Sequence, residues 1–323
     1  MFYSWEILLQ SGKNNQNEQT KLFLPTQFWG CRAVSAALFI AVCRLLLIFD
    51  TCKNVYMEKI KANHRPLILV TNDDGVEAKG IHSLIEAVRP FGDVVVVAPD
   101  QAMSGMSHAI TVKHPLYLTK VQEEPGLQIF KSNGTPADCV KLAVNVLLAD
   151  KPAFVVSGIN HGTNSSVSMH YSGTVGGARE GVLNGIPAIG FSLLAYEADA
   201  DFSSAIHYSR AIFEQVLEKG LPKGVCLNVN IPAGKDVKGV KICRQAEGRW
   251  VEEFDERVDP RGKRYFWLTG HFEHHDTDNE MSDEYALRNG YVSVVPCAVD
   301  ATHEGGLAHL KALDMEAIAA ELR

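Results

Sequence analysis

The stretch LILVTNDDG, at residues 67–75, is the starting point for predicting both the fold and the site. Its first five residues form a short run without polar alternation, which is typical of a strand buried on both faces of a parallel sheet. Two adjacent carboxylates, Asp73 and Asp74, follow the run, and Gly75 then permits a sharp turn. Ligands bind beyond the carboxyl ends of strands in doubly wound sheets, so this strand is expected to end at a functional site.

The same alternation continues along the chain, with short apolar runs separated by stretches of helical spacing. The buried strands are predicted at Leu67 to Thr71, Val94 to Ala98, Phe154 to Ser157 and Ala188 to Phe191. Apolar residues recur at helical spacing over Gly80 to Val88, Ala137 to Leu148 and Val175 to Leu183. This order predicts an α/β fold, a Rossmann-like and mostly parallel sheet with helices on both faces.

After about Gly220 the sequence becomes rich in predicted strands. These lie at Val225 to Ile231, Val240 to Arg244, Tyr265 to Leu268 and Tyr291 to Val295. We predict a C-terminal β-rich extension, which is either a smaller appendage or an arm that pairs with another subunit. The sequence has no internal repeat in this region, so one elaborated domain over residues 57–323 is the simplest interpretation.

Length, charge and cysteine content narrow the class of protein. The 323 residues suit one large domain with an extension. The formal net charge of -7 is spread along the chain and leaves no basic stripe, which argues against a nucleic-acid duplex as partner. The seven cysteines show no CxxC spacing and no paired framework, so we expect reduced thiols and a cytoplasmic protein.

Residues 1–56 do not suit a catalytic domain. A polar stretch, Gly12 to Gln19, precedes an apolar one, Ala33 to Phe49, which is slightly short for a membrane span and carries Arg44 near its middle. We interpret the first 56 residues as upstream reading frame, with Met57 as the start of the functional protein. A weak membrane anchor is the alternative, and recovery of peptides from residues 1–56 of the natively expressed protein would contradict the start at Met57.

The adjacent acids of the first loop favour a bound cation. Two neighbouring carboxylates at a strand end repel each other, and the repulsion is relieved mainly when a cation lies beside them. The alternative is a turn with solvated aspartates and an Asx cap for the following helix.

The loop after the second predicted strand, residues 98–108, carries small polar residues. Ser104 and Ser107 offer hydroxyls, and Gly105 allows close backbone approach, as in a metal ligand or a phosphate cradle. A flexible polar loop is the alternative interpretation.

Two further loops carry compatible chemistry. Asn160, within residues 156–164, offers a neutral oxygen ligand for a hard cation. The stretch Tyr171-Ser-Gly-Thr174 opens a predicted helix, where backbone N–H groups and the hydroxyls of Ser172 and Thr174 could bind an anion or merely cap the helix. Because all four loops are expected at one rim of the sheet, they predict a metal ion facing a phosphate.

The sequence also resembles the SurE family, the stationary-phase survival proteins, which are metal-dependent 5'/3'-nucleotidases. The resemblance runs from about Pro66 to about Thr302, and residues 1–65 have no counterpart in it. It rests on Asn72-Asp-Asp-Gly, Ala98-Pro-Asp, Ser104-Gly-Met-Ser, Gly134-Thr-Pro-Ala-Asp-Cys, Val156-Ser-Gly-Ile-Asn, Tyr171-Ser-Gly-Thr-Val, Asp259-Pro-Arg-Gly, Tyr265-Phe-Trp and Gly290-Tyr-Val-Ser-Val.

The resemblance implies a hydrolase of nucleoside 5'-monophosphates, with 3'-monophosphates and short polyphosphate as further candidate substrates. It implies one Mg²⁺ or Mn²⁺ per subunit and assembly into a homodimer or homotetramer through the C-terminal β segments. The implied metal ligands are Asp73, Asp74, Ser104 and Asn160. The implied substrate contacts are Asn72, Gly105, Ser107, Ser172, Gly173 and Thr174. The loop at residues 162–164 and Met169-His170 depart from the commonest family versions, which leaves substrate preference open.

The expected reaction is hydrolysis of a phosphate monoester, with Asp73 and Asp74 as the catalytic residues and Asp73 as candidate base or water-orienting group. One alternative is a metal-nucleotide sensing module without turnover. Another is an aspartyl-phosphate phosphatase of the haloacid-dehalogenase type, although that chemistry needs two acids two residues apart and here they are adjacent.

Other polar residues favour structural roles. The stretch from His271 to Asp278 resembles a metal cluster, but its irregular spacing favours a solvated loop. His108 and His161 could contact phosphate or serve a structural role. Asp138 is expected to cap the helix that begins near Ala137.

Overall fold

The computed structural model describes residues 59–62, 64–197, 199–234 and 236–313. The predicted extension at residues 1–56 and the predicted start at Met57 lie outside these residues. Over the part that is described, none of the helices combines the length and the apolar character that crossing a bilayer requires.

A nine-stranded mixed sheet forms the centre of the fold. Its strands, in spatial order, are β3 (Leu118–Glu124), β4 (Leu127–Ser132), β2 (Asp93–Pro99), β1 (Leu67–Thr71), β5 (Phe154–His161), β6 (Ala188–Leu194), β7 (Val225–Pro232), β13 (Val292–Ala298) and β8 (Val240–Ile242). The pairs β3–β4 and β7–β13 are antiparallel, and the other neighbours are parallel. The α/β fold with a mostly parallel sheet is confirmed.

Helices cover both faces of this sheet. They are α1 (Lys79–Val88), α2 (Pro136–Leu142), α3 (Gly173–Leu183), α4 (Ser203–Lys219) and α5 (Asp283–Arg288). A further helix, α6 (Glu304–Ala312), follows β13 and is largely exposed. A π-helical turn, Ala143–Leu147, continues α2, and 3-10 turns occupy Arg89–Phe91 and Ser166–His170. The spacing of apolar residues predicts α1 to α3 but neither α4 nor the antiparallel β3–β4 pair.

The alternation of side chains along β1 shows how the two layers are filled. Ile68 and Val70 join a core cluster that includes residues of α1 and α4. Leu67 and Leu69 join a second cluster that includes residues of α2 and α3. Every residue of β1 is buried, because a central strand in this architecture has a helical layer on each side.

The β-rich C-terminal part divides between the main sheet and two nested pairs of antiparallel strands. β7, β8 and β13 extend the main sheet beyond β6. The remaining strands form two separate antiparallel pairs, β9 (Gly248–Val251) with β12 (His271–His274) and β10 (Phe254–Val258) with β11 (Arg264–Leu268). The segment that leaves the main sheet spans residues 248–274. It is therefore shorter than the predicted arm, which begins at about residue 220.

Candidate active site

Three adjacent strands of the sheet end at the predicted site. β2, β1 and β5 are neighbours in the sheet, and all three are parallel. After β1 the chain crosses to β2 on one side, whereas β5 lies on the other, so the ends of β1 and β5 flank the point where the strand order reverses. This is where doubly wound sheets bind ligands.

Asp73 is the most deeply buried acid at this edge, with 3% of its surface exposed. The hydroxyl of Thr174 donates a hydrogen bond to its Oδ1. Burial raises the pKa of Asp73 to about 6, and the negative charge of Asp74 adds to the rise, while the hydrogen bond from Thr174 opposes it. The side chain is therefore held in one orientation in a site that disfavours its negative charge.

Asp74 is half-buried beside it. The backbone N–H of His161, at the end of β5, donates to Oδ2 of Asp74 at 3.1 Å. Burial raises the pKa of Asp74 as well, and this hydrogen bond opposes the rise. Asn72 supports the turn, since its Nδ2 donates to the carbonyl of Gly75 at 2.8 Å, while its buried Oδ1 has no hydrogen-bond partner among the described residues.

Asn160 presents its side-chain oxygen in a defined direction. The chain continues as strand through His161, so Asn160 lies within β5 rather than in the loop predicted after Ser157. Its Nδ2 donates to the carbonyls of His161 and Gly162, at 3.1 and 2.9 Å. The amide nitrogen is thus occupied by the backbone, which leaves Oδ1 as the group that can bind a cation.

The residues at this edge fit a divalent cation. Within the described ranges, neither Asp73 nor Asp74 forms an ion pair with a lysine or arginine. Two neighbouring carboxylates, one of them almost fully buried, are thus left without a lysine or arginine partner in the described ranges. Carboxylate, amide and hydroxyl oxygens are the donors that hard cations such as Mg²⁺ prefer, and Asn160 and Ser104 supply the neutral ones.

The loop after β2 is fastened to the segment before α3. Ser107 adopts a positive φ of 55°, its backbone N–H donates to the carbonyl of Tyr171 at 3.0 Å, and its Oγ donates to the carbonyl of His170 at 2.6 Å. The backbone N–H of Met103 donates to the carbonyl of Asp73 at 2.7 Å. These bonds hold Ser104 and Gly105 over the end of β1, and they use the hydroxyl of Ser107 in the protein itself.

The N-terminus of α3 lies directly against the acidic pair. Ser172 is its N-cap, and its Oγ accepts from the backbone N–H of Val175 at 3.1 Å. Gly173 is required here, because a Cβ at this position would lie 2.8 Å from the Cβ of Asp73. Ser172 therefore caps the helix, as one of the two interpretations predicted, and anion binding at this turn stays a prediction.

A cleft of about 390 Å³ brings the predicted residues together with others that were not predicted. It is lined by Asp73, Ser104, Gly105, Asn160, His161, Asn164, Ser168, Tyr171, Ser172, Trp250, Glu253, Leu268 and Thr269. Five predicted site residues lie beside the cleft rather than in its lining, namely Asn72, Asp74, Ser107, Gly173 and Thr174. The last four lining residues come from the hairpin region at 248–274, and no pattern in the sequence shows that it folds over this edge.

Other candidate residues have structural partners. His108 pairs with Glu180 at 3.0 Å, whereas the ring of His161 packs edge-on against Phe202. Asp138 forms the predicted cap of α2, in which it accepts from the backbone N–H of Thr135 at 3.0 Å. His271 to His274 form β12, which pairs with β9, and residues 275–278 lie in the turn that follows; the described residues contain no group of three or more His, Cys, Asp or Glu side chains that could hold a metal.

Comparison with known proteins agrees with this geometry. Residues 68–252 match the family model of survival protein SurE. A relative from Phocaeicola vulgatus named 5'-nucleotidase SurE is 52% identical over 252 residues, which cover 78% of this chain and 98% of the relative. Another of that name, from Cytophaga hutchinsonii, is 56% identical over 241 residues, covering 74% and 93%.

A solved structure is also similar. The crystal structure of the SurE protein from Aquifex aeolicus superimposes with a TM-score of 0.67 at 39% sequence identity, and the match covers 77% of this chain and 100% of that one. The family match, the sequence identity and the fold agree over the same core. This chain belongs to the SurE family.

Proposed function

We propose that this chain is a divalent-metal-dependent 5'-nucleotidase, which hydrolyses nucleoside 5'-monophosphates to nucleoside and phosphate. The observation that carries the proposal is the acidic pair Asp73 and Asp74, which has no cationic side-chain partner within the described ranges and adjoins a cleft at the N-terminus of α3. The relatives named 5'-nucleotidase SurE support the same reaction.

Four side chains would hold one cation, Mg²⁺ or Mn²⁺, in each subunit. These are Asp73, Asp74, Ser104 and Asn160. When bound, a divalent cation polarises a phosphoryl oxygen and offsets the charge that develops on the leaving group.

The phosphate would lie between the cation ligands and the start of α3. Gly105 and Ser172 line the cleft and bring backbone donors close to it, and helix N-termini favour anions. Thr174 and Gly173 fix the position of Asp73, as Ser107 and Asn72 fix the adjoining loops. We therefore assign direct phosphate contact to Gly105 and Ser172. The other four residues support the site.

Asp73 is suited to orient the attacking water or accept its proton. Thr174 engages Oδ1 of its carboxylate, which leaves Oδ2 for a second partner. In the metal-free protein burial raises the pKa of Asp73 to about 6, whereas a bound cation would favour the ionised carboxylate, which is the form that can orient the attacking water.

The nucleoside would face the outer wall of the cleft. Trp250, in β9, and Tyr171 both line it, and Trp250 is oriented by a hydrogen bond from its Nε1 to Oγ of Ser168 at 3.3 Å. Aromatic rings stack on every nucleobase, which suits a site that accepts several nucleosides.

We propose that the β10–β11 hairpin joins subunits into a homodimer or homotetramer. One face of the hairpin carries four apolar side chains that are 54–71% exposed. They are Phe254, Val258, Phe266 and Leu268. The ion pair between Glu256 and Arg264 lies on the same face, and exposed apolar side chains grouped in this way are typical of an interaction surface.

Release of inorganic phosphate from AMP and GMP, measured with Mg²⁺, Mn²⁺ or Co²⁺ and after chelation, tests the proposal. We expect turnover that chelation abolishes and added metal restores. Nucleotide binding without phosphate release would leave only a sensing module, and a trapped phosphoaspartate on Asp73 would replace the metal-centred reaction.

The free thiols of Cys139, Cys226, Cys243 and Cys297 agree with the predicted cytoplasmic location.

A further inference from the structure

A second and larger cavity lies on the other side of the Ser166–His170 turn. Its volume is about 960 Å³, within the range of small-molecule sites, and it shares no lining residue with the cleft described above. Different residues of this same segment line the two cavities. Ser168 and Tyr171 line the cleft, whereas Val167, Met169 and His170 line the second cavity.

Two arginines in the lining have no carboxylate partner. Arg179, on α3, and Arg244, after β8, form no ion pair with any residue that the structure describes. The Nε of Arg179 is buried and has no hydrogen-bond acceptor within the described ranges. A buried guanidinium donor without an acceptor is costly, so a ligand oxygen at this position would be favoured.

The acid closest in sequence cannot serve Arg179. Glu180 is buried, and its two carboxylate oxygens are engaged by His108 at 3.0 Å, Lys141 at 2.9 Å and Asn184 at 2.8 Å. Its negative charge is thereby offset by groups other than Arg179. Glu247, which is exposed, is the one acid in the cavity lining.

Neutral hydrogen-bonding groups stand next to the arginines. His170 and Gln245 both line the cavity, and their side-chain nitrogens lie 3.3 Å apart. Burial lowers the pKa of His170, and the charge of Arg179 lowers it further, which favours the neutral ring with one N–H to donate. The set combines two cations with uncharged donors, which suits an oxyanion.

We propose that this cavity binds a small phosphorylated molecule at a site separate from the catalytic cleft. The phosphate would accept from Arg179 and Arg244, because guanidinium groups match phosphate oxygens in geometry and charge. The lining also contains the apolar side chains of Met169, Leu183 and Val295, which would accommodate the uncharged part of the ligand. The inference does not depend on the reaction proposed for the cleft.

Calorimetric titration of the full chain with inorganic pyrophosphate tests the site. The protein is first stripped of divalent metal and the chelator is removed by gel filtration, so that the cleft lacks the cation that would draw phosphate there. We expect saturable binding, with an affinity at least about tenfold lower in Arg179→Met, which keeps the length of the side chain but removes the guanidinium. Absence of saturable binding in the unmodified chain would overturn the proposal.

Matched variants separate this cavity from the cleft and from general surface charge. Ser104→Ala in the cleft and Lys219→Gln, which removes an exposed cation at the end of α4, should both keep the unmodified affinity. Arg244 is exposed, so Arg244→Gln provides the test if Arg179→Met fails to fold. Loss of affinity in Ser104→Ala together with full affinity in Arg179→Met or Arg244→Gln would assign the binding to the cleft and end the proposal.

Discussion

The hydroxyl of Thr174 donates a hydrogen bond to the buried carboxylate of Asp73. This bond joins the first turn of α3 to the end of β1, two elements separated by 101 positions along the chain. It opposes the rise in the pKa of Asp73 that burial causes, and it fixes which carboxylate oxygen remains open. Thr174 therefore supports the proposed metal site without lining the cleft.

Removing this hydroxyl should weaken cation binding. In Thr174→Val the carboxylate of Asp73 loses its donor, its pKa rises further, and protons compete better with the cation. We expect the Mn²⁺ concentration for half-maximal activity to rise about tenfold, in line with the loss of one charge-assisted hydrogen bond. Thr174→Ser restores the hydroxyl and should remain within about threefold of the unmodified protein. An unchanged Mn²⁺ requirement in Thr174→Val would contradict this role.

Asp74→Asn should nearly abolish turnover while the fold is retained. The variant removes one of two charges that we assign to the cation, and a loss of at least about a hundredfold in phosphate release from AMP is expected. Asp100→Asn is the matched control, since Asp100 follows β2 at the same sheet edge but does not line the cleft. Circular dichroism and thermal unfolding check the fold. Activity near that of the unmodified protein in Asp74→Asn would remove the basis of the assigned site.

The metal-free protein should lose stability as the pH rises from 4.5 to 7. The folded-state pKa of Asp73 is about 6 and its ordinary value is 3.8, so the folded state holds this proton more tightly than the unfolded state. Stability is therefore greatest below the lower value and falls as the pH passes the higher one. Between pH 4.5 and 7 this one group should lower the free energy of unfolding by about 2 kcal/mol.

Urea unfolding in chelator at the two pH values measures this loss. In Asp73→Asn the group cannot ionise, and the dependence of the free energy of unfolding on pH should shrink by a similar amount. An equal pH dependence in both proteins would show that Asp73 is not the group responsible.

Trp250→Ala should raise KM for nucleoside monophosphates selectively. Loss of the indole removes a stacking surface, for which an increase of about tenfold in KM for AMP is expected. Ribose 5-phosphate has the same phosphate but no base, and its KM should change little. Trp250→Phe keeps an aromatic ring and should recover most of the loss. Equal effects on both substrates would place Trp250 outside the base-binding part of the cleft.

The double variant Phe254→Glu with Phe266→Glu should dissociate the assembly. Both side chains lie on the exposed apolar face of the β10–β11 hairpin, and burying two carboxylates in an interface is strongly unfavourable. Light scattering after gel filtration should show a dimer or tetramer for the unmodified protein and a monomer for the variant. Lys263→Glu, in the turn between β10 and β11, is the control and should not change the mass. A variant of unchanged mass would rule out this face as the interface.

The central fold could be predicted because its buried strands are continuous apolar runs. The predicted bounds of β1 agree with the structure at both ends, and those of β2 differ by one residue at each end. β5 continues four residues beyond the predicted end at Ser157, because Gly158 interrupts the apolar run and the strand ends in the polar residues Asn160 and His161. β3 was missed since most of its side chains are exposed and its sequence lacks an apolar run.

The candidate site could be predicted only as far as loops at strand ends define it. Parallel strands place Asp73, Ser104 and Asn160 at one edge, and all three line the cleft. Trp250 and Glu253 could not be predicted, because they reach the cleft through the path of a hairpin that is remote in sequence. The positions of Asn72 and Ser107 depend on hydrogen bonds to backbone carbonyls, which composition and spacing do not reveal.

The ends of the sheet strands form the floor of the cleft, and the hairpin region at 248–274 forms its outer wall. Substitutions in this wall can accumulate without disturbing the carboxylates of the floor. Descendants of one ancestral enzyme could therefore diverge in the phosphomonoesters that they accept while they retain the same hydrolytic reaction. Laboratory libraries confined to positions such as Trp250, Glu253 and Thr269 would exploit this division to obtain altered selectivity in a scaffold that keeps its core.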